Sequence, residues 1–274
     1  VGIASRRRIE HGVDQRPPGC AVVLLSRQED LAMAAHAGPL GGLATGRGAG
    51  FENLITLDVG GTSADIGVVS DGRLRHKHWL DNQIGGFHLR LSMIDVATIG
   101  AGGGSIAFLG EDGMLRVGPG SAGAHPGPMC YGRGGTEPTV TDANLVTGRL
   151  NPHRFLGGEF DLDLKLATQA IEQRIAKPLG LSVMDAALGI LRIADAKMSF
   201  AVRAITMQRG YDPRKFAMVV FGGGGPLHGM AIARELHVPR VIVPPQPGHF
   251  SALGMLMTDL RQDFVQTKIL DYAS

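Results

Sequence analysis

The chain has 274 residues, 44% hydrophobic and 19% charged, with a formal net charge of +2. That balance suits one large or two small domains with a substantial core. The near-neutral charge and the 5% of aromatic residues argue against a nucleic-acid surface or a base-stacking platform.

No apolar run approaches the roughly 20 residues that span a bilayer, and the basic start, VGIASRRRIEHG, is followed by no secretory apolar stretch. Cys20 and Cys130 stand far apart, without metal-binding spacing. These features point to a reducing, cytoplasmic setting. The 41 glycines cluster in a few loops, a distribution that suits close backbone approach to a ligand.

Residues 1–50 hold Arg, Gly, Pro and Ala without clear periodicity and contain no Lys. Within them AVVLLS (21–26) reads as a strand and EDLAMAAHA (29–37) as a helix. From Phe51 the pattern becomes regular. NLITLD (53–58) reads as a buried strand, and ADIGVVSDGRLRHKHWL (64–80) as a hairpin turning at SDG. Residues 94–118 read as short strands around the loop GAGGGS, then a hairpin turning at GEDG. The Gly/Pro-rich stretch 118–138 reads as a long loop of the kind a compact domain keeps for function. Helices are expected over 140–150, 161–180 and 182–210, the last with Ser182 as N-cap and Asp185 three positions on. Then follow a strand into glycines (215–226), a helix (227–238), a strand (240–245) and a last helix (249–260). This alternation predicts an α/β layer structure.

Two stretches carry candidate chemistry. In LDVGGTSAD (57–65), Gly60 and Gly61 let backbone N–H groups approach an anion, and Thr62 and Ser63 add hydroxyl donors. Asp58 and Asp65 repel phosphate unless a metal ion or water intervenes. An ordinary hairpin with a Gly-Gly turn explains the same text. In VVFGGGGPLHG (219–229), Gly222, Gly223, Gly224 and Gly225 lie between a strand and a helix, where bare backbone accepts a base, ribose or phosphate. A simple tight turn needs fewer glycines. GAGGGS lines a cleft or merely bends a sheet. Asp142 fits a helix cap better than a ligand, and Asp95 stays open. Cys130 reads as a packed thiol. His228 and Arg133 are each divided between ligand contact and a structural or surface role. The HKH of residues 76–78 reads as a solvent-facing edge.

DVGGTSAD resembles a phosphate hairpin of the superfamily that includes actin, heat-shock chaperones and sugar kinases, and FGGGGP resembles its adenosine-contacting motif. TIGAGGGSIA (98–107), the run 117–152, FLGG (155–158), RGYDPRKFAMVVFGGGGPLH (209–228) and SALGMLMTDLRQDFV (251–265) together resemble the hydantoinase A / 5-oxoprolinase family. The resemblance implies a ribonuclease H-like nucleotide-binding domain, with a mixed sheet flanked by helices. It implies ATP with Mg²⁺ (or Mn²⁺), O-phosphorylation of a lactam or cyclic imide carbonyl, and a hydantoinase B-type subunit or fused equivalent as partner. Asp58 and Asp65 would be catalytic and metal-binding. Gly60, Gly61, Thr62 and Ser63 would take phosphate, and Gly222 to Gly225 adenosine. Nucleic acid and membrane are not expected partners.

The text departs from the family in two places. Family members carry an earlier glycine hairpin, which does not precede Phe51. The expectation is therefore the second half of a two-domain clamp over 51–265, with a tail at 266–274 and little activity in isolation. AGPLGGLATGRGAG stands where the family shows a different segment, so residues 1–50 read as out-of-frame translation or as divergence. A non-catalytic partner-binding remnant and a small-molecule kinase of the same superfamily are the rival functions.

Overall fold

The structure is a computed structural model that describes residues 28–77, 83–84, 87–88 and 93–257. In chain order the elements are α1 (Gln28–Gly48), β1 (Leu54–Val59), β2 (Ala64–Ser70), β3 (Arg73–Leu74), β4 (Gln83–Ile84) and β5 (Phe87–His88). Next come β6 (Val96–Ile99), β7 (Ser105–Leu109), β8 (Leu115–Ser121), α2 (Val140–Val146), α3 (Leu164–Ile171), α4 (Lys177–Leu179) and α5 (Val183–Gln208). The last are β9 (Ala217–Phe221), α6 (Gly225–Leu236), β10 (Arg240–Ile242) and α7 (Phe250–Leu256). The expected strand at 21–26, His78, the end of the last helix and the tail at 266–274 lie outside the described residues. Among the described residues no helix is long and apolar enough to cross a membrane.

Among the described residues six strands form the main sheet, in the order β10-β9-β1-β2-β3, with β6 also paired to β2. β1 and β2 are antiparallel, whereas β9 runs parallel to β1 and to β10. Such parallel neighbours need crossover connections, and α5 and α6 lie within them. The result is the ribonuclease H-like mixed sheet with helices on both faces. Residue alternation divides β1 between the two layers. Ile55, Leu57 and Val59 join Ile66, Met218 and Val220 under α5 and α6. Leu54 joins Val69, Val219, Phe221 and Phe250 on the other side. β9 is buried along its whole length, as its unbroken apolar run requires of a central parallel strand.

Helix α1 is longer than its sequence pattern predicts. It continues past Ala37 through Pro39 to Gly48, because its small residues fit against the sheet. Gly42 faces Thr56, Gly46 faces Leu54, and Gly38 faces the Phe221 ring. The composition break near residue 50 is therefore not a break in packing. The three-part helix 164–179 passes through one wider π turn at Glu172–Ala176 and stops at Gly180, whose φ is 65°. The SDG turn closes with Asp71 and Gly72 both at positive φ, which suits a two-residue hairpin loop. The other expected elements form with shifted ends: α6 starts at Gly225, inside the glycine run, and β8 continues to Ser121, into the stretch expected to be loop.

Two local devices shape the long loop 122–139. Asp142 closes a capping box with Thr139 at the start of α2. Its carboxylate also accepts from the Cys130 N–H at 2.8 Å and the Met129 N–H at 3.3 Å. One buried carboxylate thus caps the helix start, as the capping reading anticipated, and also ties it to the loop. Cys130 is fully buried with Leu145, Leu162 and Ala167. Burial, reinforced by the neighbouring Asp142 charge, pushes its thiol far above the usual range, so it is a packed and inert thiol.

A close approach of α1 and α7 closes the second face. A Cβ built on Gly254 would overlap the Ala37 carbonyl. Gly254→Ala should therefore lower stability by about 1–3 kcal/mol, despite the better helix propensity of Ala. A lower urea midpoint with an unchanged slope is the expected readout.

Candidate functional site

The two glycine turns come together. The β1–β2 turn closes with the Gly60 N–H donating to the Ser63 carbonyl at 2.9 Å. The 100–105 loop docks on its back. Gly103 N–H donates to the Gly60 carbonyl at 2.9 Å, and Gly104 N–H donates to the Gly61 carbonyl at 2.6 Å. GAGGGS is thus a buttress for the hairpin rather than a simple sheet bend. In a trans peptide the N–H points opposite to the C=O. Pinning these two carbonyls therefore turns the N–H groups of Gly61 and Thr62 away from the loop. Gly61 and Thr62 are exposed, so the turn presents donors on its open side, as an anion site requires.

The second turn leans against the first. Gly224 N–H donates to the Val59 carbonyl at 2.9 Å. Gly222 sits at φ 78°, and a Cβ there would overlap the Asp58 carboxylate, so only glycine fits. Gly60, Gly61, Gly103, Gly223 and Gly224 line one cleft of about 130 Å³. Its remaining walls come from α2, the start of α6 and the 122–160 region. Thr141, Asn144, Leu227 and His228 contribute polar and apolar surface, and Tyr131 and Phe155 contribute rings.

Asp58 and Asp65 are directly opposed across the β1–β2 ladder. They share the α1/α7 face of the sheet, and neither lines the cleft. Each takes a hydroxyl donor: Ser251 Oγ to Asp58 at 2.8 Å, and Thr98 Oγ1 to Asp65 at 2.5 Å. Burial raises the Asp58 carboxyl above its usual pKa, the Ser251 hydrogen bond opposes the rise, and the Asp65 charge adds to it. Like charges directly opposite each other in a sheet are unfavourable. A cation between them would remove that cost. Thr62 approaches Ser121, with the hydroxyl oxygens 3.4 Å apart, and Ser63 is half-buried in the same turn. Among the described residues no group of three or more His, Cys, Asp or Glu forms a metal cluster.

Several side chains left open by the sequence find structural partners. Asp95 pairs with Arg209 at 2.6 Å and with Arg75 at 3.5 Å. Arg133 lies over the Phe160 ring, 4.8 Å from its centroid. His228 is buried, with Nδ1 2.6 Å from Asp195 Oδ1 and Nε2 3.3 Å from Asn144 Nδ2. Sequence reading missed Asn144 and Asp195. Both fall on buried faces of α2 and α5. An amide or a carboxylate on an apolar helix stripe needs a partner, and that is the signal that points to them.

The raised Asp58 pKa has a sign that can be tested. The folded state binds the proton more tightly than the unfolded chain, so ionised Asp58 costs stability above the unfolded carboxyl pKa. Asp58→Asn should therefore raise the melting temperature at neutral pH, and the gain should vanish as the pH falls below the unfolded value of 3.8. Thermal denaturation across that range in metal-free buffer checks it.

With this geometry in place, comparison with known proteins is informative. A family model described as Hydantoinase/oxoprolinase matches residues 21–264. The chain is 44% identical over 229 residues to the caprolactamase subunit alpha of Pseudomonas jessenii, which covers 84% of this chain and 33% of the relative. The crystal structure of the ATP-dependent caprolactamase from the same organism superposes with a TM-score of 0.73, covering 80% of this chain and 31% of that one. The nucleotide-free structure of an acetone carboxylase superposes with a TM-score of 0.74 at 34% identity, covering 81% and 31% respectively. The chain thus spans about a third of the length of these relatives. The match over most of its residues and the shared fold lead to one conclusion: the chain belongs to the hydantoinase/oxoprolinase family.

Proposed function

We propose that this chain is the ATP-binding domain of an amidohydrolase subunit, in which a lactam or cyclic imide carbonyl is phosphorylated to promote ring opening. The observation that carries the reading is the backbone lock on the Gly60–Gly61 turn. It aims the Gly61 and Thr62 N–H groups outward, beside a second glycine turn. The relatives support the nucleotide, since the similar caprolactamase is described as ATP-dependent.

In this reading Gly60, Gly61, Thr62 and Ser63 hold the phosphate oxygens, and the bare backbone of Gly222 to Gly225 lies against the adenosine. The fit to a divalent cation rests on the opposed Asp58 and Asp65 carboxylates. Two carboxylates that retain waters are an ordinary Mg²⁺ donor set. When bound, Mg-ATP supplies the phosphoryl group and offsets its charge. The protein's part is to position and to stabilise: outward N–H groups hold negative charge in place, and Asp58, steadied by Ser251, keeps its orientation. An amide carbonyl resists attack by water, and a phosphorylated oxygen is a good leaving group, so the coupling is chemically reasonable. Residues from α1 onward form one unit in this scheme, and a hydantoinase B-type subunit, or a fused equivalent, completes the hydrolysis.

Calorimetry tests the nucleotide. Mg-ATP should bind more tightly than ATP with chelator, and Asp58→Ala should remove most of that metal-dependent gain, at least about tenfold. Equal binding with and without Mg²⁺ overturns the assignment of Asp58. Phosphate release on a panel of lactams, with the chain joined to its partner, tests the reaction.

A further inference from the structure

Buried polar side chains wall the cleft beside the Gly60–Gly61 turn. His228 on α6, Asp195 on α5 and Asn144 on α2 meet there. His228 and Asn144 are each only 1% exposed, and Asp195 is 8% exposed. The Asp195 carboxylate accepts from His228 Nδ1–H at 2.6 Å. The imidazole Nε2 is then an acceptor, and Asn144 Nδ2 donates one hydrogen to it at 3.3 Å. That contact leaves the carboxamide with a second N–H and with Oδ1, and Oδ1 has no hydrogen-bond partner. A buried acceptor without a partner costs about 1–3 kcal/mol. The fold keeps it beside a cleft whose other walls are the Tyr131 and Phe155 rings, Leu227 and the Gly60–Gly61 backbone.

We propose that Asn144 reads the hydrogen-bonding edge of a small cyclic amide in this cleft, with His228 and Asp195 as positioning residues; this rests on the reading of the chain as an amidohydrolase domain. A ring lactam or imide holds its N–H and C=O on the same side. That edge is the complement of a carboxamide: ring N–H donates to Asn144 Oδ1, and ring C=O accepts from Nδ2–H. The rings and Leu227 cover the apolar body of the ligand. Gly60 and Gly61 bring its carbonyl next to the turn that holds phosphate. An adenine base carries a similar donor–acceptor edge, and Gly223 and Gly224 line the same cleft, so adenosine is the competing occupant that the test must separate from the lactam.

The test uses the chain itself and ligand-observed NMR with 2-pyrrolidinone, N-methyl-2-pyrrolidinone and adenosine. The lactam should bind, and its N-methyl derivative should bind at least about tenfold more weakly, because the donor is gone. Asn144→Ala should lose lactam affinity to the same degree. His228→Leu should follow it, and His228→Gln, which keeps an acceptor, should restore binding. Equal binding of the N-methyl compound to the unmodified chain overturns the proposal, whatever the variants do to folding. So does absence of lactam binding, or an Asn144→Ala variant that loses adenosine and keeps lactam. Unchanged affinity in His228→Leu overturns the positioning role. Mg-ATP titration of the same samples separates the two readings. Nucleotide binding without lactam binding sinks this inference alone, and lactam binding with no nucleotide binding, even when the chain is joined to the rest of its subunit, sinks the ATP assignment alone.

Discussion

The hydrogen bonds from Gly103 and Gly104 to the Gly60 and Gly61 carbonyls are the constraint on which the site depends. A glycine turn left to itself samples many backbone states, since glycine pays the largest entropy on ordering. Here a second glycine loop selects one state. The two carbonyls face inward, and peptide planarity sends the following N–H groups outward. The loop is itself anchored: Thr141 on α2 donates its hydroxyl to the Gly103 carbonyl at 2.9 Å, and Thr141 N–H donates to the same oxygen at 2.8 Å. The conformation of the turn is thereby tied to α2 and, through Asp142, to the loop that carries Cys130.

The sheet adds the second constraint. β1 is central, with β2 on one side and β9 on the other. The turns that follow β1 and β9 must therefore emerge side by side at one end of the sheet. Ligands in open α/β sheets bind where strand ends leave such a crevice. Gly222 allows the contact, because any side chain there would collide with Asp58. Asp58 and Asp65 stand opposed in the ladder, each with a hydroxyl donor, from Ser251 and Thr98 respectively.

The cleft shows a different division of labour. Its glycine wall is backbone, which can recognise charge but not shape. Its opposite wall includes side chains from α2 and α6, locked to α5 by the His228–Asp195–Asn144 hydrogen bonds. A network of this kind holds each member in one orientation.

The sequence by itself determined the layer class, most of the elements and the two glycine turns, because periodicity, glycine clustering and cap residues are local signals. Ser182 as N-cap and the SDG turn are examples, since each needs only neighbours a few residues away. The length of α1 was not legible, because a Gly- and Ala-rich helix has no strong pattern of its own and is held by its fit to Thr56, Leu54 and Phe221. The role of GAGGGS was also beyond local reading, since its partners lie about forty residues earlier in the chain. Asn144, Asp195 and His228 come from three helices, with 84 positions between the first and the last. Only tertiary packing decided that they meet, because burial makes a polar side chain find a partner across space, and nothing in its own segment names that partner.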